Sequence, residues 1–161
     1  MMIKLQVLVD YNLVFNPGLD EIVKVLKEQG PFYGVMGFSQ GSAVAVALAL
    51  LIEMKKIDLG YQLQCFIFVS AMASQLPYDQ QLQCKTPSLH LIGLNDFVVD
   101  RYYQSQCRSI GLSVQFLNPY VIYHNQGHKV PTLTYQQIKQ LKKFFDNPIQ
   151  DWQQEVFTPK L

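Results

Sequence analysis

Ser39 is the residue best placed to act as a nucleophile, because Gly37-Phe38-Ser39-Gln40-Gly41 reads G-x-S-x-G between an apolar strand-like run and a helix-like run. In that setting the pentapeptide is a nucleophile elbow. A sharp, strained strand-to-helix turn lifts the serine hydroxyl above the end of a sheet, and the flanking glycines relieve the crowding. A larger residue at Gly37 or at Gly41 is expected to crowd the turn. The peptide N–H of Gln40 opens the following helix and points to the place where an oxyanion forms, so Gln40 is the expected oxyanion-hole residue.

A serine hydroxyl is a poor nucleophile near neutral pH unless a histidine takes its proton and a carboxylate holds that histidine in the right tautomer. Downstream of an elbow of this kind the two partners follow in the order Asp, then His. Asp96 comes after the strand-like Leu89-His90-Leu91-Ile92-Gly93 and the turn Leu94-Asn95, and His128 comes later in Gly127-His128-Lys129-Val130-Pro131. The order fits. Asp100 directly precedes Arg101-Tyr102-Tyr103 and reads as a helix cap, Asp79 as a solvated loop residue, and His90 as a core or sheet-face histidine. His124 and His128 are spaced i, i+4, which on a helix suits a metal. Asn125-Gln126-Gly127 break any helix there and a third ligand is not evident, so no metal is assigned. His124 reads instead as ordering the loop that carries His128. Phe38, Met72, Phe97 and Val98 flank the site and are apolar, the expected lining for a hydrocarbon acyl group; the competing reading makes Val98 and Val99 core.

Positioning these residues requires strands that end on one side of a sheet. Apolar runs alternate with helical periodicity, the pattern of an α/β protein with a mostly parallel sheet and helices on both faces. The expected strands are Ile3 to Val9, Tyr33 to Met36, Cys65 to Ser70, Ser88 to Gly93 and Ser113 to Leu117. Helices are expected over Asp20 to Gln29, over Ser42 to Met54, from an Asp100 cap through Tyr102, Tyr103 and Cys107 toward Gly111, and from a Thr134 cap through Ile138, Leu141, Phe144 and Phe145. Asn147-Pro148 ends the last, and the tail from Ile149 holds Trp152. With no repeat and no linker, residues 1–161 read as one domain.

The 161 residues are 49% hydrophobic and 16% charged, with a net charge of +1, so nothing in the charge recruits nucleic acid or an anionic membrane. The longest apolar stretch, Ala43 to Ile52, falls short of the roughly 20 residues that span a bilayer, and the N-terminus has no signal-peptide pattern. A cytoplasmic protein is expected. The three cysteines, Cys65, Cys84 and Cys107, are widely spaced and fit neither a disulfide framework nor a zinc site.

Beyond single residues, Gly30-Pro31-Phe32-Tyr33-Gly34-Val35-Met36-Gly37-Phe38-Ser39-Gln40-Gly41-Ser42-Ala43, Phe66-Ile67-Phe68-Val69-Ser70, Pro87 to Gly93 with Asp96-Phe97-Val98-Val99, and His124 to Pro131 form a continuous pattern. The chain resembles the family of small serine hydrolases typified by the yeast FSH proteins and the human ovarian-cancer-associated protein 2. The match runs from about Phe15 to Phe145, with Pro17-Gly18-Leu19-Asp20-Glu21 similar to the family's segment before the helix that leads to Gly-Pro-Phe. The resemblance implies an α/β-hydrolase fold, Ser39 as nucleophile, Asp96 as orienting acid and His128 as general base. It further implies a cofactor-free esterase or thioesterase whose partner is a small-molecule acyl ester or thioester.

The N-terminus departs from that pattern. Family members begin with a strand ending in a Leu-His-Gly type loop that supplies the second oxyanion donor, whereas Val9-Asp10-Tyr11-Asn12 contains no His-Gly. An N-terminally truncated hydrolase is therefore expected, with a backbone N–H of Tyr11 or Asn12 as the replacement donor if Ile3 to Val9 lies parallel to Tyr33 to Met36. Loss of one such donor typically costs about 10²–10³ in kcat. The alternative is a truncated pseudo-hydrolase acting as a binding module, and in either case an exposed sheet edge offers a route to a homo-oligomer.

Overall fold

The computed structural model describes residues 17–72, 83–102 and 109–147. The expected strand Ile3 to Val9, the loop Asp10-Tyr11-Asn12, Asp79, Cys107 and Trp152 lie outside them.

Helix α1 (Pro17–Gln29) carries Asp20 in its first turn and Lys27 in its last, each charge opposing the helix dipole. It buries Leu19 and Leu26. Strand β1 (Gly34–Phe38) follows and runs into α2 (Gln40–Glu53), whose sequence QGSAVAVALALLIE is apolar nearly all round. Such a helix belongs inside a protein, and residues from Ala45 to Leu51 are indeed buried. Strands β2 (Cys65–Val69) and β3 (Ser88–Gly93) come next, then the short helices α3 (Phe97–Tyr102) and α4 (Ser109–Ser113), strand β4 (Pro119–His124) and helix α5 (Tyr135–Asp146). Thr134 caps α5 through a capping box with Gln137, as the Thr134 position suggests from sequence.

The four described strands form one parallel sheet in the order β1-β2-β3-β4. On one face Phe66, Phe68 and Phe116 pack with Leu19, Leu26 and the buried side of α2. On the other, Cys65, Val69, Leu89, Leu91 and Ile122 pack against Phe144 of α5. Both faces of the central strands are thus covered, which is why they read as unbroken apolar runs. Because the strands are parallel, the loops that follow them emerge on the same edge.

Two expectations are corrected. Ser113 to Leu117 is not a strand: Ser113 ends α4, the Gln115 and Phe116 amides turn back to the Leu112 and Ser113 carbonyls, and Phe116 makes only an isolated bridge with Cys84. The alternation there misleads because its polar members are inside. Ser113 and Gln115 are buried, while Val114 and Leu117 are 58% and 53% exposed. The strand is β4, opened by Pro119, a position where a missing N–H is tolerated. Asp100 lies inside α3 and does not precede it; Asp96 takes the capping role, its Oδ1 accepting the Val99 N–H at 3.3 Å.

Candidate active site

The turn from β1 to α2 places Ser39 at φ 52° and ψ −121°, a left-handed conformation that costs a non-glycine residue about 1–3 kcal/mol. Ser39 occupies the N-cap position of α2, yet its side chain makes no capping hydrogen bond. A serine there ordinarily turns its oxygen back onto the helix; here the strain turns it away and frees it. The elbow is braced by Ser42, whose hydroxyl donates to the Gly37 carbonyl at 2.9 Å. A Cβ on Gly37 would lie 2.6–2.7 Å from the backbone of Gly41 and Ser42, so only glycine fits. Gly41 is different and corrects the expectation: a Cβ there meets nothing within 4 Å.

The edge of the sheet brings three side chains together. His128 Nε2 lies 2.9 Å from Ser39 Oγ, and His128 Nδ1 lies 3.0 Å from both carboxylate oxygens of Asp96. An ionised carboxylate only accepts, so the neutral imidazole carries its proton on Nδ1 and leaves Nε2 as acceptor for the serine hydroxyl. Ser39 Oγ is also 3.5 Å from Met72 Sδ, but a thioether is a weak acceptor beside an imidazole nitrogen. Asp96 is 5% exposed; the Val99 N–H and His128 satisfy its buried charge.

Around this line of atoms, Phe38 sets its ring 5.1 Å from that of His128, and Met72 donates its N–H to the Ser39 carbonyl at 3.4 Å. Phe97 and Val98 open α3 directly after Asp96 and are 62% and 43% exposed, whereas Val99 is buried. Gln40, the first residue of α2, presents its peptide at the helix N-terminus beside Ser39.

The loop from His124 to Thr134 carries His128 and is laced by polar contacts. His124 Nδ1 accepts the Gln126 N–H at 3.3 Å, which gives His124 the loop-ordering place its spacing suggests. Burial pushes its imidazole pKa down, against the raising effect of Asp96. Asn95 Nδ2 donates to the Asn125 carbonyl at 2.8 Å, tying the loop of Asp96 to the loop of His128. The Gln126 side chain donates to the Thr132 carbonyl at 2.7 Å and accepts the Thr132 N–H at 3.1 Å. Neither Asn95 nor Gln126 stands out in the sequence, since nothing in residue type or spacing announces a bond between a loop side chain and a distant backbone. His90 is a buried core histidine: its Nε2 is 2.9 Å from Ser88 Oγ, it stacks on Phe68, and burial lowers its pKa to about 3. Burial also pushes the Cys65 and Cys84 thiols up to about 11, so neither is a thiolate at neutral pH. Among the described residues no group of three or more His, Cys, Asp or Glu could hold a metal ion, and no helix is long and apolar enough to cross a membrane.

Residues 10–140 match the family model described as serine hydrolase (FSH1). The chain is 33% identical over 115 residues to esterase OVCA2 of Xenopus tropicalis, an alignment covering 70% of this chain and 47% of that protein. It thus spans about half the length of that relative. Among solved structures it is similar to the Zea mays acyl-protein thioesterase 2, with a TM-score of 0.57 at 19% identity over 87% of this chain and 66% of that one. It is also similar to the Bacillus cereus carboxylesterase, with a TM-score of 0.53 at 23% identity over 87% and 63%. These likenesses show a shared α/β-hydrolase fold.

Proposed function

The chain belongs to the serine hydrolase (FSH1) family, and on that premise we propose that it cleaves small or medium acyl esters or thioesters through an acyl-serine intermediate. The observation that carries this reading is the unbroken line of contacts from Ser39 Oγ through His128 to Asp96, at 2.9 and 3.0 Å. His128 Nε2 takes the hydroxyl proton as Ser39 Oγ attacks the acyl carbon, and Asp96 holds the imidazole and stabilises the imidazolium. The Gln40 N–H, at the positive end of α2, meets the developing oxyanion. Proton return from His128 expels the alcohol or thiol, and water activated by the same nitrogen then releases the acid. Phe38 and Met72 border Ser39, and with Phe97 and Val98 nearby they favour a hydrocarbon acyl group over a charged one.

The test compares hydrolysis of p-nitrophenyl acetate, butyrate, octanoate and succinate by wild type and Ser39→Ala. A Ser39-dependent rate with kcat/KM lowest for the succinyl ester is expected. A rate indistinguishable between the two proteins would instead identify a pseudo-hydrolase that binds without turnover, and a succinyl preference would overturn the apolar acyl site.

A further inference from the structure

The loop bearing His128 belongs to no helix or strand, and Lys129, Val130 and Thr132 within it are exposed, so packing against the core does not fix them. Its shape comes from polar contacts. The Gln126 side chain lies flat against the backbone of Thr132 and uses its oxygen and its nitrogen on the N–H and C=O of that one residue, closing residues 126–132 into a ring with His128 within it. The Gln126 backbone is anchored in turn: its N–H donates to buried His124 Nδ1, and its carbonyl packs so closely on Gly93 that a Cβ there would come within 2.6 Å. Gly93 and His124 are register partners at the ends of β3 and β4. The ring is therefore fastened at one end to the sheet edge, held beside His128 by the hydroxyl of buried Ser70, which donates to the Lys129 carbonyl at 3.5 Å, and closed at the other end by the Gln126 amide.

Resting on the hydrolase reading above, we propose that Gln126 is a positioning residue for His128: its side-chain clamp on Thr132 fixes the loop so that Nε2 faces Ser39 while Nδ1 faces Asp96. It touches neither substrate nor the reacting atoms and acts through the imidazole. Both hydrogen bonds are solvent-exposed, so water replaces them when the side chain is removed and the fold loses little. The imidazole must still satisfy two partners at once, and a displacement of about 1 Å in such an arrangement can cost about 10²-fold in rate.

Kinetics of Gln126→Ala and Gln126→Glu on p-nitrophenyl butyrate, melting temperatures, and the downfield proton resonance of the His128 Nδ1–H bonded to Asp96 test the proposal. Gln126→Ala should lower kcat by about tenfold to a hundredfold with KM within about twofold and the melting temperature unchanged, and should broaden or abolish the downfield resonance. Gln126→Glu, which keeps the acceptor for the Thr132 N–H and loses the donor to its carbonyl, should fall between wild type and Ala. Unchanged kcat and resonance in Gln126→Ala would overturn the proposal, and so would a loss of kcat that merely follows a fall in melting temperature. If the wild-type rate does not depend on Ser39, it is the hydrolase reading that fails; the resonance still decides whether Gln126 holds His128 against Asp96.

Discussion

Ser39 and Asp96 each depart from ordinary behaviour in a way that serves the site. Ser39 sits where a serine normally caps a helix and does not cap it. Asp96 caps α3 with the same Oδ1 that faces His128, and these two roles can be separated by substitution. Asp96→Asn retains an acceptor for the Val99 N–H but presents the wrong group to the imidazole, so kcat should fall by about 10⁴ with the melting temperature near wild type. Asp96→Ala should lose a comparable amount of activity and in addition about 1 kcal/mol of stability from the cap. Stopped-flow kinetics and thermal melts on both variants check this; equal stability losses would mean the cap contributes nothing. Ser39, Asp96 and His128 were legible in the sequence because a G-x-S-x-G at a strand end, a later Asp after a strand and a later loop His form an ordered signal. Gln126 was not, since its role depends on how the chain returns at Thr132, and Asp100 drew the cap assignment because Arg101-Tyr102-Tyr103 after it reads as the start of a helix that in fact begins at Phe97.

At the level of elements, the elbow makes opposite demands on its two glycines. Gly37→Ala forces a Cβ to within 2.6–2.7 Å of backbone atoms, and overpacking of that kind costs about 1–3 kcal/mol. Gly41→Ala meets open space inside the first turn of α2 and should leave stability unchanged or raise it by up to about 1 kcal/mol. Thermal melts of the two variants decide between them, and a loss at Gly41 equal to that at Gly37 would contradict the geometry. The covered strands carry a second consequence. With its pKa lowered from 6.5 to about 3 by burial, His90 stays neutral in the fold while the unfolded chain takes up a proton below pH about 6.5. Its contribution is therefore full above that pH and is lost progressively as pH falls toward about 3, on the order of 2 kcal/mol by about pH 5. His124 shifts in the same direction. Melting temperature should fall between about pH 7 and about pH 5, and less steeply in His90→Phe; equal slopes would remove His90 as a cause. The strands β2 and β3 were readable as apolar runs because both faces are covered, whereas Ser113 to Leu117 imitated a strand by burying its polar side chains through local bonds such as Ser113 Oγ to the Ile110 carbonyl.

For the molecule as a whole, β1 stands at the end of the described sheet and exposes Met36, with Tyr33 exposed directly before it, 56% and 53% accessible. We infer that this end of the described sheet offers a pairing surface to a second copy. Sedimentation over a range of concentrations should show reversible association that Met36→Lys weakens; a monomer at every concentration would contradict it. The α/β architecture was legible because alternating runs of two periodicities leave few other solutions, and the family pattern stretches across both. Catalysis by Ser39 comes down to one oxygen atom, and the intact mass of the protein after exposure to a fluorophosphonate probes it. A single adduct is expected on wild type and none on Ser39→Ala, because the Ser39 hydroxyl faces His128 Nε2 at 2.9 Å, poised for its proton to be taken as it attacks phosphorus. An unmodified wild-type mass, or an equal adduct on Ser39→Ala, would contradict it.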